Sequence, residues 1–143
     1  MIQEVNILLV EDDENDILAI RRAFKKHSIS NPLFVVENGE DALDFLHNRG
    51  EYEDEKAHPK PDLILLDINM PRMNGIEFLN IIKRDDKFKS IPVVILTSSK
   101  REWDKIESYK LGVNSYIIKP VDFDKFADSI LMINQYWSMT ELP

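Results

Sequence analysis

The apolar segment that ends at Asp67 is the feature that most constrains the fold of this chain. Leu63 to Leu66 are apolar at every position, without the alternation of a half-exposed strand. This pattern is typical of a strand that is buried on both faces in a parallel sheet covered by helices. Turn-forming residues follow between Asn69 and Gly75, and sheets of this type bind ligands beyond the carboxyl ends of their strands. Taken alone, the segment fits either a site carboxylate at Asp67 or an ordinary turn cap.

The composition describes a soluble globular chain of the size of one domain. The chain has 143 residues, of which 43% are hydrophobic and 31% charged, and no cysteine, so disulfides and thiolate chemistry are excluded. The net charge of -8 disfavours nucleic acids and anionic membranes as partners, because both present phosphate groups. The first residues lack the basic region of a signal peptide, and no apolar run is long enough to span a membrane. The sequence therefore predicts a cytoplasmic protein whose partners are other proteins.

Apolar segments predict strands along the whole chain, and amphipathic segments predict helices between them. The predicted strands are Val5 to Val10, Leu33 to Val36, Leu63 to Leu66, Pro92 to Leu96 and Ser115 to Ile118. The five predicted helices lie at about 13–28, 40–47, 75–84, 103–110 and 122–138. Such alternation implies right-handed crossovers and an α/β fold with a doubly wound five-stranded parallel sheet. We expect the strand order 2-1-3-4-5, within a single domain over residues 1–143.

The segment from Asn48 to Pro61 interrupts this alternation. It contains a glycine, two prolines and four acidic residues between Glu51 and Glu55, which predicts an exposed loop. We interpret it as a solvated insertion, because surface loops tolerate insertions well, with a partner-binding element as the alternative. The three histidines, which show no metal-ligand spacing and are predicted to be surface residues, are His27, His47 and His58.

Reactive or polar side chains follow four of the predicted strands. Glu11 and Asp12 follow the first strand, Asp67 the third, Thr97 the fourth and Lys119 the fifth. In the expected order the connections reverse between strands one and three, so Asp12 and Asp67 should face each other across the crevice. Converging carboxylates repel one another unless a cation holds them, and an all-oxygen set of ligands suits Mg2+. The acidic residues after strand one argue against an FMN or dinucleotide site, which needs a loop that presents backbone N–H groups to phosphate.

A carboxylate beside Mg2+, with a lysine and a hydroxyl nearby, is what formation of an aspartyl phosphate requires. Four motifs of this chain carry a resemblance to a family that performs this chemistry. They are Val10 to Asp13, Leu66 to Pro71 with Gly75, Leu96 to Ser99, and Tyr116 to Pro120. In their order and spacing the chain resembles the receiver domain of two-component response regulators, over about residues 5 to 135. The agreement of four motifs is far more specific than any one of them.

The resemblance implies that Asp67 accepts a phosphoryl group from a sensor histidine kinase or a phosphotransfer protein. It also implies a Mg2+ site in which Asp12 is a direct ligand and Glu11 acts through water. Asn69 would give the metal its backbone carbonyl. A receiver of this kind is a signalling phosphoacceptor rather than an enzyme with its own substrate, and it passes its state to a downstream protein.

The same resemblance assigns a switch to the fourth and fifth strands. Thr97 would rotate toward the phosphoryl group, Tyr116 would swing inward behind it, and Lys119 would pair with the phosphoryl oxygens. The family also implies a cis peptide bond between Lys119 and Pro120. Asn69 and Ser99, each two positions beyond a key residue, would tune the rate of dephosphorylation. Taken singly, Thr97, Tyr116 and Lys119 also fit ordinary strand-end, packing and surface roles.

Two features make the chain similar to the receivers that work with phytochromes. They are the long loop 48–61 and the last helix with its tail from Asn134 to Pro143, and they point to a phytochrome-like kinase. Trp103, Tyr136 and Trp137 on the last two helices fit either the core or an exposed patch for self-association. Since receivers commonly associate through the face of helix four, strand five and helix five, the resemblance implies a homodimer through that face. Two alternatives remain open at this point. One is a Mg2+-dependent phosphohydrolase with Asp67 as nucleophile, which would lack the usual second Asp because Asn69 occupies that position, and the other is a degenerate receiver that acts as a constitutive binding module.

Overall fold

The computed structural model describes residues 5–113, 115–119 and 128. The strands are β1 (Ile7–Val10), β2 (Leu33–Val36), β3 (Leu63–Asp67), β4 (Val93–Thr97) and β5 (Ser115–Ile118). The helices are α1 (Glu14–Lys26), α2 (Gly39–Leu46), α3 (Gly75–Ile82) and α4 (Lys100–Ser108), with a 3-10 helix at Gly50–Tyr52. Apart from residue 128, which is helical, the predicted fifth helix lies outside the described residues, and the other four predicted helices are found within them. Most observed ends fall within two or three residues of the predicted ones.

The sheet has five parallel strands in the order β2-β1-β3-β4-β5, as predicted. The register pairs Val10 with Leu66 and Asp67 with Leu96. Thr97 in turn pairs with Ile118. The carboxyl ends of β1, β3, β4 and β5 are therefore aligned, and the residues that follow these strands lie at one edge of the sheet.

Every residue of β1, β3 and β4 is buried, which explains the absence of alternation in their sequences. The two faces of the sheet carry separate apolar clusters. One contains Leu8, Ile64 and Ile95 together with the buried side of α2 and α3. The other contains Leu9 and Leu65 with the buried side of α1. Helices therefore cover both faces, and the sheet is a rigid base for the loops at its edge.

Each α-helix begins at a residue whose side chain accepts a hydrogen bond from a backbone N–H of the first turn. The capping residues are Asp13, Asn38, Asn74 and Ser99. These side chains satisfy donors that have no partner within the helix. Two or three residues separate the helices α1, α2 and α4 from the ends of the strands before them. Their N-terminal turns therefore lie on the same side of the sheet as the carboxyl ends of the strands.

The loop from 48 to 61 is more closely packed than its composition predicts. The rings of Tyr52 and His58 lie 5.4 Å and 5.5 Å from the ring of Phe45. The side-chain amide of Asn48 donates to the carbonyls of Tyr52 and His58 at 3.1 Å and 2.9 Å. The predicted exposed loop is confirmed for most of the segment, including the acidic residues 51 and 53–55, whereas Asn48, Tyr52 and His58 are half-buried. Among the three predicted surface histidines, His47 is exposed although its ring lies 5.0 Å from that of Phe88, whereas His27 and His58 are half-buried.

Candidate functional site

The carboxyl ends of the strands bring the predicted side chains to one open cleft. It is lined by Glu11, Asp12, Asp67, Asn69 and Lys119, and also by Asp16 from the first turn of α1. Glu11 and Asp67 are 0% and 5% exposed, whereas Asp12 is exposed. The cleft therefore has a buried acidic floor and one carboxylate at its rim.

Three carboxylates of the cleft lie close enough to share one cation. Oxygen atoms of Glu11, Asp12 and Asp67 all lie within 4.8 Å of one another. Two like charges at about 4 Å repel by roughly 4 kcal/mol at the effective dielectric near a protein surface. The folded chain holds this unfavourable arrangement because the buried strands fix the backbone on which it is built. Its all-oxygen donor set is the type that hard divalent cations prefer.

Lys119 supplies the positive charge of the cleft. Its Nζ lies 2.7 Å from Glu11 Oε2 and 2.9 Å from Asp16 Oδ2. The distance from the same atom to Asp67 Oδ1 is 3.6 Å. Lys119 is thus held mainly by two other carboxylates, with Asp67 as its third and most distant anionic neighbour. One ammonium group leaves the four-carboxylate cleft with a net negative charge.

The pKa values of the acidic floor reflect burial first and neighbouring charges second. The pKa of Glu11 is raised from 4.5 to about 7, mainly by burial; Lys119 opposes this rise and the nearby charge of Asp67 adds to it. Burial likewise raises the pKa of Asp67, against the opposing effect of Lys119. Burial alone would lower the pKa of Lys119, but its hydrogen bonds with Asp16 and Glu11 outweigh burial and raise it. Lys119 is therefore fully charged, and the two buried carboxylates, Glu11 and Asp67, bind protons more readily than in water.

The loop after β3 is pinned in place by close backbone contacts. A Cβ atom at Gly75 would lie 2.8 Å from the carbonyl oxygen of Asp67 and from the Cα of Ile68, so only glycine fits there. The N–H of Gly39 donates to the carbonyl of Met73 at 3.0 Å. These contacts fix the loop between β3 and α3. They hold the backbone on both sides of Asp67 and Asn69.

Thr97 is buried beside the cleft, with its hydroxyl directed to α4. Its exposed fraction is 1%, and its Oγ1 donates to Glu102 Oε1 at 2.5 Å. The side-chain amide of Asn69 donates to Glu102 Oε2 at 3.0 Å. Tyr116 is half-buried, and its ring stacks on that of Trp103 with 4.6 Å between centroids and 22° between planes. Tyr116 thus packs against α4 and does not line the cleft.

Sequence reasoning missed two acidic residues of this site. Asp16 lies in the charged segment after β1, but nothing in that segment distinguishes it as a partner of a lysine 103 positions away. Glu102 follows Ser99 by three residues, a spacing typical of a capping box, which would have placed it near the end of β4. The predicted Pro120 lies outside the described residues. Among the residues described, no helix is both long and apolar enough to cross a membrane.

Comparisons with known proteins agree with these observations. The family model for the response regulator receiver domain matches residues 7–131. The response regulator Rcp1 of Synechocystis sp. is 40% identical over 134 residues, which are 94% of this chain and 89% of Rcp1. The crystal structure of the Mn2+-bound form of Rcp1 has a TM-score of 0.76 at 39% identity and covers 97% of this chain and 99% of its own.

Two phytochrome response regulators have similar structures. The bacteriophytochrome response regulator RtBRR has a TM-score of 0.85 at 39% identity, and the alignment covers 99% of this chain and 84% of that one. The phosphorylated cyanobacterial phytochrome response regulator RcpA has a TM-score of 0.77 at 35% identity, with 99% and 98% covered. The chain is similar to these proteins along almost its whole length.

Proposed function

This chain belongs to the family of response regulator receiver domains, which are phosphoacceptors in signalling, and on that premise we propose that Asp67 is the carboxylate that accepts the phosphoryl group. The observation that carries the proposal is the position of Asp67 at the end of a central buried strand. Two further carboxylates lie within 4.8 Å of its own, and the ammonium of Lys119 lies at 3.6 Å. Receivers of this kind take the phosphoryl group from a histidine kinase and act on a downstream protein.

In the proposed reaction an oxygen of Asp67 forms a bond to phosphorus while the bond from phosphorus to the donor group breaks. With a phosphohistidine donor the leaving group is the kinase imidazole, which takes up a proton. The charge of Lys119 stabilises the transferring oxygens, because its Nζ is within reach of Asp67. The rigid loop between β3 and α3 keeps the carboxylate oriented toward the open side of the cleft.

The donor set of the cleft fits a divalent cation, and we propose Mg2+. Asp12 and Asp67 are the direct carboxylate ligands in this proposal, Asn69 contributes its backbone carbonyl, and Glu11 contributes through water. When bound, the cation neutralises negative charge on the phosphoryl oxygens and on the acceptor. The net negative charge of the metal-free cleft supports this assignment, because one lysine balances only part of it.

We further propose that phosphorylation acts through Thr97 and Tyr116. A phosphoryl group adds nearly two negative charges to Asp67. Such a group would attract the hydroxyl of Thr97 and the ammonium of Lys119, and movement of Thr97 would leave room behind it for Tyr116. Since Tyr116 stacks on Trp103, this change would alter the packing of α4 against β5.

Two further proposals concern the phosphoryl donor and the self-association of this chain. Two similar structures are phytochrome response regulators, which supports a phytochrome-like kinase as the donor. The face of α4 and β5 exposes Tyr109 and Ile118 by 50% and 42%, which supports a homodimer through that face. Sedimentation at high micromolar concentration, with and without a phosphoryl mimic, tests the dimer, and a monomer under both conditions would contradict it.

Incubation with acetyl phosphate and Mg2+, followed by intact mass measurement, tests the phosphoacceptor. We expect wild type to gain the mass of one phosphoryl group and Asp67→Asn to gain none. Asp62→Asn is the matched control. Asp62 is an exposed residue just before the amino end of the same strand, where its side chain accepts a hydrogen bond from the backbone N–H of Asn6. A wild-type chain that gains no phosphoryl group, or an Asp67→Asn variant that gains it equally well, would contradict the proposal.

A further inference from the structure

Glu102, in the first turn of α4, is a carboxylate that faces the functional cleft from the side of β4. Its Oε1 accepts hydrogen bonds from Thr97 Oγ1 at 2.5 Å and from the backbone N–H of Ser98 at 3.2 Å. Its Oε2 accepts from the amide of Asn69 at 3.0 Å and from the hydroxyl of Ser98 at 3.3 Å. The side chain therefore connects the helix to the residues that follow both β3 and β4.

A purely structural role in helix capping accounts for only part of these contacts. Ser99 and Glu102 have the spacing of a capping box, and the N–H of Glu102 donates to Ser99 Oγ at 3.1 Å. In a capping box the glutamate side chain returns to the N–H of the capping residue itself. Here that N–H lies 3.5 Å from Thr97 Oγ1, and the glutamate reaches past it to Thr97 and Asn69. The carboxylate is thus directed beyond the helix end, toward the cleft.

The contact between Glu102 and Thr97 engages the group that a phosphorylated Asp67 would need. A threonine hydroxyl has one proton, so it can donate to one acceptor at a time. The Glu102 carboxylate accepts hydrogen bonds from Thr97, Asn69 and Ser98, and a carboxylate is a stronger acceptor than a neutral oxygen. A phosphoryl oxygen on Asp67 and the carboxylate of Glu102 therefore compete for the same hydroxyl.

We propose that Glu102 is a positioning residue that holds the hydroxyl of Thr97 and the amide of Asn69 away from Asp67 in the resting state. Phosphorylation then exchanges one anionic acceptor of the Thr97 hydroxyl for another, and the difference between these two charge-assisted hydrogen bonds contributes to the free energy of the switch. This inference rests on the proposed function, because it requires a phosphoryl group at Asp67. It assigns the resting position of the switch to one side chain on α4.

Replacement of the carboxylate by a neutral group should favour the active state. Glu102→Gln keeps the size of the side chain and can still accept at one oxygen, so the helix start is preserved. Glu102→Ala removes the carboxylate and leaves the weaker, neutral acceptor at the Ser99 carbonyl, which lies 3.2 Å from Thr97 Oγ1. Because both variants remove the charge-assisted hydrogen bond from Thr97 to Glu102, we expect both to bind a phosphoryl mimic about tenfold more tightly than wild type, which corresponds to about 1.4 kcal/mol.

The experiment uses beryllofluoride with Mg2+ as the mimic and NMR of selectively labelled threonine as the readout. The chain has only two threonines, Thr97 and Thr140, so the spectrum is simple and a Thr97→Ser variant identifies the signals. In the absence of mimic and metal, the Thr97 signal of Glu102→Gln should move toward the position that wild type reaches with beryllofluoride. Glu107→Gln, which removes an exposed charge from the same helix, should leave the signal and the half-saturating concentration unchanged.

A double-mutant cycle separates competition from capping. In a Thr97→Val background there is no hydroxyl to release, so the gain in affinity from Glu102→Gln should shrink to a small part of its value. An equal gain in both backgrounds would overturn the proposal and leave Glu102 a helix cap. Unchanged affinity and an unchanged Thr97 signal in both Glu102 variants would also overturn it. Failure of the proposed function would look different, because wild type itself would then not respond to beryllofluoride or acetyl phosphate.

Discussion

Lys119 and Asp16 form an ion pair with 2.9 Å between Nζ and Oδ2. The lysine follows β5 and the aspartate lies in the first turn of α1, so the contact joins two elements at opposite sides of the cleft. Asp16 is thereby a competitor of Asp67, which lies 3.6 Å from the same ammonium. The resting cleft holds the lysine by carboxylates other than the proposed acceptor.

Asp16→Asn should therefore increase the rate of phosphoryl uptake from acetyl phosphate. With this partner neutral, Lys119 pairs more often with Asp67 and with the incoming oxygens. The pair is partly exposed, with side-chain exposures of 21% and 33%, so its effect is modest and a rise of about threefold is expected. Intact mass as a function of time gives the rate. Glu14→Gln removes an exposed acidic side chain of the same turn and is the control. An equal rise in both variants would show that the effect comes from the change in net charge and not from the pair of Lys119 and Asp16.

The metal-free protein should lose stability as the pH rises toward neutrality, through Glu11. The folded pKa of Glu11 is raised from 4.5 to about 7, so between these values the folded state binds more protons than the unfolded state. The free energy of unfolding then falls with increasing pH across that window. Allowing for solvent screening, we expect a loss of about 1–2 kcal/mol, since one pKa unit equals 1.36 kcal/mol. Urea unfolding between pH 5 and pH 8 in a chelator measures it.

Glu11→Gln is the control for this pH dependence. Glutamine keeps an acceptor for Lys119 but does not titrate, so the difference between the two proteins isolates Glu11 from the other ionisable groups. The variant should be about as stable as wild type near pH 5 and more stable at pH 8. Parallel stability curves for the two proteins would show that Glu11 does not have the raised pKa.

Binding of a divalent cation should offset the destabilisation that repulsion among the carboxylates of the cleft causes. A ligand that binds only the folded state at 100 times its dissociation constant stabilises by about 2.7 kcal/mol. We expect Mg2+ to raise the melting temperature of wild type and to have little effect on Asp12→Asn, because the cluster of three carboxylates is then incomplete. Glu53→Gln, an exposed acid of the 48–61 loop, should respond as wild type does. An undiminished response of Asp12→Asn would place the cation elsewhere.

The sheet and its strand order could be predicted from sequence because burial on both faces leaves a distinct pattern. Leu63 to Leu66 are apolar throughout since helices cover both sides. The gathering of Glu11, Asp12 and Asp67 follows from that order, because aligned strand ends place the residues after them at one edge. These features depend on backbone topology, which a short list of rules restricts.

Side-chain partners could not be predicted in the same way. The contacts of Glu102 with Thr97 and of Asp16 with Lys119 depend on rotamers and on the relative position of a helix and two strands. No local pattern encodes such a pair among many acidic residues. Composition alone also could not predict the packing of Tyr52. Its acidic neighbours predicted an exposed loop, whereas the ring of Tyr52 packs on that of Phe45.

Gly75→Ala tests whether the close approach between α3 and the strand end positions Asp67. Gly75 has no positive φ, so the backbone there allows alanine. The cost is overlap of its Cβ with the carbonyl oxygen of Asp67 and with Cα and Cδ1 of Ile68, each at 2.8 Å. Relief of that overlap requires a shift of the backbone of Asp67, at a cost of about 1–3 kcal/mol. We expect a lower melting temperature together with slower phosphoryl uptake from acetyl phosphate. Gly50→Ala is the control, because Gly50 has a φ of +59° and no atom lies within 4 Å of an added Cβ. This variant should lower the free energy of unfolding by about 1–2 kcal/mol without slowing phosphoryl uptake. Equal slowing in both variants would show that stability, rather than the position of Asp67, limits the reaction.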